Sequence, residues 1–116
     1  MPYILGDQTV ESETFPGMHA RALVGKDQGS VSLTVTNNAL DTGAGVPLHI
    51  HPNHEEVILI MEGSVEGVLG DEVRTLGPGD TLLAPAGVKH SVINKSAQPA
   101  RVITIFPTTA PQRTYV

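Results

Sequence analysis

The sequence predicts an all-β fold, a sandwich or barrel built from about nine short strands. Three observations carry that prediction. Gly 12 and Pro 9 among 116 residues cut the chain into short segments. The runs between them are rich in Val, Ile, Leu and Thr, residues that fit a pleated surface. No window places its apolar residues at the 3.6-residue helical period.

Taken in order, strands are expected near 19–24, 31–37, 46–51, 56–61, 64–69, 73–76, 81–84, 89–94 and 101–106. The first brings His19 and Arg21, which share one face and are candidates to turn inward. Val31-Ser-Leu-Thr-Val-Thr36 alternates strictly, the period-2 signature of a strand with one wet face. Val57-Ile-Leu-Ile-Met61 is apolar throughout and reads as a strand covered on both faces. Val102-Ile-Thr-Ile-Phe106 reads similarly. Gly70-Asp71 and Gly77-Pro-Gly-Asp80 are tight-turn chemistry, and Gly63 is expected to close a hairpin. Residues 1–15 and 107–116 carry weaker patterns and are read as peripheral arms on one domain spanning 1–116.

Composition narrows the function classes. A net charge of -5, a pI near 5.4 and basic residues scattered singly leave no patch to replace phosphate counterions, so nucleic acid is not an expected partner. No apolar run approaches the ~20 residues that span a bilayer, so no membrane is expected. Met1 to Glu11 lacks a basic start followed by an apolar stretch, and with no cysteine the cytoplasm is the simplest compartment.

Three of the five histidines fall within six residues, in Pro47-Leu-His49-Ile-His51-Pro-Asn-His54-Glu55-Glu56. In a strand His49 and His51 project to the same face, and two neutral imidazoles aimed at one point suit a divalent cation. Glu55 and Glu56 must face opposite sides, so one of them can join the pair. His90, in Pro85-Ala-Gly87-Val-Lys-His90, enters another strand. Three histidines and a carboxylate make a metal pocket with room left for water or substrate. Histidines on loops are usually solvated, and His19 and His54 are read that way; Glu55, Glu62 and Glu66 are read as surface charges.

These residues resemble the two signature motifs of the cupin superfamily. Gly43, His49, His51, Glu56 and Gly63 match G-x5-H-x-H-x3–4-E-x6-G over 43–63, a register that selects Glu56 over Glu55. Gly79, Pro85, Gly87, His90 and Asn94 match G-x5-P-x-G-x2-H-x3-N over 79–94. The resemblance implies a cupin-type jelly-roll β-barrel, a double-stranded β-helix, as a small single-domain member. It also implies that His49, His51, Glu56 and His90 bind one divalent metal. Mn or Fe(II) is favoured, and the set also suits Zn, Ni, Co or Cu. Alternation from Glu56 and His90 predicts a mainly aliphatic cavity of Ile58, Ile60 and Val92, with Phe106 at its floor. Asn94 is expected to bond backbone at a turn.

The set leaves metal positions open, which points to an enzyme, and the resemblance implies one of dioxygenase, isomerase, decarboxylase or lyase type acting on a small oxygen-bearing organic molecule. Glu56 is the candidate catalytic base. The alternative is a module that binds or senses a small molecule or metal without turnover. A homodimer is expected, with Val57, Leu59 and Met61 as the covered outward face.

Overall fold

The computed structural model describes residues 2–116, which form eleven strands and two three-residue 3-10 helices, Gly6–Gln8 and Lys26–Gln28. The strands are β1 (Glu11–Phe15), β2 (Met18–Val24), β3 (Thr34–Leu40), β4 (Gly45–Ile50), β5 (Glu56–Glu62), β6 (Val65–Leu69), β7 (Glu72–Leu76), β8 (Thr81–Ala84), β9 (His90–Ile93), β10 (Ala100–Phe106) and β11 (Thr114–Tyr115). A six-stranded sheet has the order β1-β2-β3-β10-β5-β8 and a five-stranded sheet the order β11-β4-β9-β6-β7. From β3 onward the chain passes back and forth between the two sheets, and every pairing is antiparallel. This is a jelly-roll β-sandwich, as the sequence predicts.

The core lies between the sheets. Leu40, Ile58, Ile60 and Val102 from the larger sheet meet Val65 and Val92 from the smaller, all buried. Covering each such side chain is worth roughly 1.5–3 kcal/mol, which makes this layer the main source of stability.

Four expectations need correction. Residues 31–33 form a bend rather than strand, with Val31 92% and Leu33 44% exposed. The strand starts at Thr34, and its inward set runs through Thr36, Asn38 and Leu40, the parity opposite to the apolar one. Polar residues at inward positions defeat an alternation reading that assumes an apolar interior. Gly63 does not close a hairpin, because β5 and β6 belong to different sheets. It turns a corner at φ 78°, and an added Cβ there would lie 2.5 Å from the Pro99 carbonyl oxygen, so only glycine fits.

The strand 57–61 is covered on one face only within the single chain. Ile58 and Ile60 are buried, Val57 and Leu59 half-buried, and Met61 44% exposed. The segments read as arms also hold more structure than expected. β1 pairs with β2, and β11 pairs with β4 beside the histidine cluster. Neither announces itself, because an edge strand such as Glu11-Ser-Glu-Thr-Phe15 buries almost nothing and owes its shape to its partner.

Candidate metal centre

Both sheets contribute to one buried cluster. Backbone pairing sets His49 of β4 directly opposite His90 of β9. His51 lies two residues past His49 on the same face, and Glu56 opens β5 in the opposite sheet. All four are buried, at 3%, 1%, 4% and 0% exposure for His49, His51, Glu56 and His90. Glu55 faces solvent, so alternation places the carboxylate as the motif register requires.

Each ring is anchored through its outer nitrogen. His49 Nδ1–H donates to the Pro47 carbonyl at 2.7 Å, His51 Nδ1–H to the Gln112 carbonyl at 2.6 Å, and His90 Nδ1–H to the Val88 carbonyl at 2.9 Å. A carbonyl oxygen only accepts, so each Nδ1 carries a proton, and in a neutral ring Nε2 is then a bare lone pair. Those lone pairs converge. His51 Nε2 and His90 Nε2 lie 3.0 and 2.9 Å from the same Glu56 oxygen, Oε1, and His49 Nε2 lies 3.2 Å from His51 Nε2. Ligand atoms from all four residues fall within 4.8 Å of one another. Lone pairs packed at such distances repel unless a cation stands among them, whether protons on the rings or a metal ion.

The acid–base properties agree. Burial pushes the His49 ring down to about 4, outweighing its bond to Pro47, and the Arg113 charge pushes the same way. Burial would raise the Glu56 carboxyl, but the ring nitrogens of His51 and His90 beside it prevail and hold it at about 2. A buried carboxylate ionised beside three imidazoles is the donor chemistry of a borderline divalent metal, and the buried group fits one such ion.

Beside the cluster lies a cavity of about 150 Å³. Ile58, Val92 and Phe106 line it. Ile60 does not: it faces the same way but packs into the core at 1% exposure. At that level of the sheet its register partner Val102 forms the cavity wall instead. His19 and Arg21 also stay out, because Met18 and Ala20 take the inward positions of β2. His19 remains half-exposed beside Asp41 at 3.2 Å, which raises its pKa above the usual value.

His54 is not a solvated loop histidine. Its ring stacks on His51 at 4.8 Å, and Nε2 accepts the Gln112 N–H at 3.1 Å. Asn94 serves the backbone as expected, with Nδ2 donating to the Leu40 and Gln98 carbonyls at 3.0 and 2.7 Å. The polar lining from Thr36, Asn38 and Thr104, and the end residues Phe15 and Arg113, escaped the sequence reading. Counting alternation backwards from Leu40 would have found Asn38 and Thr36.

The cupin domain family pattern matches residues 39–106, and the chain therefore belongs to that family. The auxin-binding protein ABP19a of Prunus persica is 30% identical over 90 residues, 72% of this chain and 43% of that protein. The chain thus spans less than half the length of that curated relative. Among solved structures, the polyketide cyclase RemF of Streptomyces resistomycificus superposes with a TM-score of 0.85 at 23% identity, covering 100% of this chain and 85% of that one. KdgF of Halomonas sp. superposes at 0.78 and 21%, covering 90% and 92%. At these identities the two structures speak for the fold alone.

Proposed function

We propose that this chain is a metal-dependent enzyme acting on a small oxygen-bearing organic molecule, with His49, His51, Glu56 and His90 holding one divalent transition metal, Mn or Fe(II). The observation that carries the reading is the convergence of three Nε2 lone pairs and the Glu56 carboxylate beside a cavity large enough for a ligand. When bound, such a metal supplies Lewis-acid polarisation of an oxygen function or an oxygen-activating centre.

The chain's own residues do the rest. The Pro47, Gln112 and Val88 carbonyls fix the three rings in one tautomer and aim their Nε2 atoms inward. Ile58, Val92 and Phe106 exclude bulk water and so strengthen every electrostatic interaction nearby. Glu56 is the sole carboxylate lining the cavity, and on leaving the metal it would be the group that takes a proton from a bound molecule. Cytoplasmic residence and a homodimer complete the proposal.

The test is a screen of Mn- and Fe-loaded protein against small diketones, catechols, flavonols and hydroxy acids, following oxygen uptake and product mass. Turnover that disappears with chelator and with His90→Ala supports the enzyme. A binding module is the second reading, favoured by kinship with a protein whose name says that it binds auxin. Ligands that raise the melting temperature and are recovered unchanged under every metal would establish it.

A further inference from the structure

We propose that Arg113 is an anion-binding residue of the cavity, and that the molecule bound there is a small carboxylate held between Arg113 and the metal centre. This deepens the reading above and rests on it for the metal half of the site.

The argument starts from the charges. Seven residues are Lys or Arg. Arg21, Arg74, Lys89, Lys95 and Arg101 each have a carboxylate within 4.0 Å. Among the described residues, Lys26 and Arg113 do not, and Lys26 lies on the short helix Lys26–Gln28 and is not among the residues lining the cavity. Arg113 lines it, together with His49, Glu56 and His90. Glu56 and Arg113 are the only Asp, Glu, Lys or Arg side chains in the lining, so the two cancel and leave nothing to offset a divalent ion. The remaining lining is aliphatic, aromatic or neutral polar. Such a cavity favours an anion.

The guanidinium is also positioned rather than free to wander. Its central carbon lies 5.6 Å above the Phe15 ring, which offers it a cation–π face. The backbone on both sides is fastened down. Gln112 is held by His51, Asn53 and His54, and Thr114 and Tyr115 pair with Ile50 and His49 of β4. A planar fork of donors fixed in this way matches a carboxylate with two parallel hydrogen bonds. A volume of about 150 Å³ suits a small organic ligand. Across the cavity Asn38 Nδ2 makes only contacts of 3.4 to 3.5 Å, and is a donor ready for a better acceptor.

The experiment is a calorimetric titration of the full chain, metal-loaded and chelator-treated, with malonate, with its neutral isostere malonamide and with inorganic phosphate. Metal content is measured on every sample. Malonate should bind at least tenfold more tightly than malonamide or phosphate. Arg113→Gln should weaken malonate at least tenfold and leave malonamide and metal content unchanged, and Arg113→Lys should fall between. Arg113 is exposed, so neither variant threatens the fold. Malonate binding unaltered by Arg113→Gln, or absent from the native metal-loaded protein, overturns the inference. Phosphate binding more tightly than malonate overturns the carboxylate assignment. Failure of the metal reading is separate: it shows as no metal uptake with Arg113-dependent malonate binding still present.

Discussion

Single residues at the cluster carry opposed demands, and acid should expose them. The folded pKa of His49, about 4, lies below the ordinary 6.5. Between those values the unfolded chain takes up a proton that the folded chain refuses, so stability falls as pH falls through that window. Glu56, at about 2 against 4.5, adds a second loss of the same sign between 4.5 and 2. The metal-free protein should therefore lose on the order of 3 kcal/mol between pH 7 and 4, as read by denaturant melts at each pH. His49→Asn should flatten that slope; an unchanged slope would remove His49 as its source. At the corner after β5, Gly63→Ala forces a Cβ against the Pro99 carbonyl at positive φ and should cost about 2–4 kcal/mol in the same melts. A cost below ~0.5 kcal/mol would mean that the corner relaxes freely. Of the four proposed ligands, alternation pairs His49 with His51 in the sequence, while the resemblance to the cupin motifs selects Glu56 over Glu55 and adds His90. Arg113 was not legible there, since its site depends on a segment that returns to β4 over sixty positions later than His51.

Elements differ in how plainly they announce themselves. β5 and β10 are apolar runs whose pattern is nearly sufficient, whereas β1 and β11 are short, polar and exposed. The C-terminal strap nevertheless matters to the site. Its contribution to His51 is the Gln112 backbone carbonyl, an atom that every residue type offers, so no side-chain signal marks it. Removing residues 112–116 leaves the core between the sheets intact but takes away the acceptor that orients His51. The shortened chain should fold and should bind metal about 10- to 100-fold more weakly, the usual effect of losing an outer-shell partner. Competition with a metal-sensitive dye would measure it, and equal affinity in both chains would show that the strap does not orient the ring.

At the scale of the molecule, the outer face of the larger sheet is unusually apolar. Leu83, Val57, Ile105, Val35 and Val24 are paired neighbours across five successive strands, forming one continuous row. With Leu59, Ile103 and Met61 near it, this face supports the proposed homodimer, twofold symmetry being the commonest solution for a self-complementary surface. Sedimentation at micromolar concentration should give twice the 12.2 kDa chain mass, and Leu59→Glu should shift the species towards monomer without unfolding it. A native protein that sediments as a monomer contradicts the dimer.

The central claim is that one metal ion sits among His49, His51, Glu56 and His90, and elemental analysis of protein never exposed to chelator tests it most directly. The convergence of these lone pairs predicts about one divalent transition metal per chain, lost in His51→Ala and retained in His54→Ala. No appreciable metal after incubation with Mn, Fe, Ni and Zn, or loss in His54→Ala with retention in Glu56→Ala, would contradict the account.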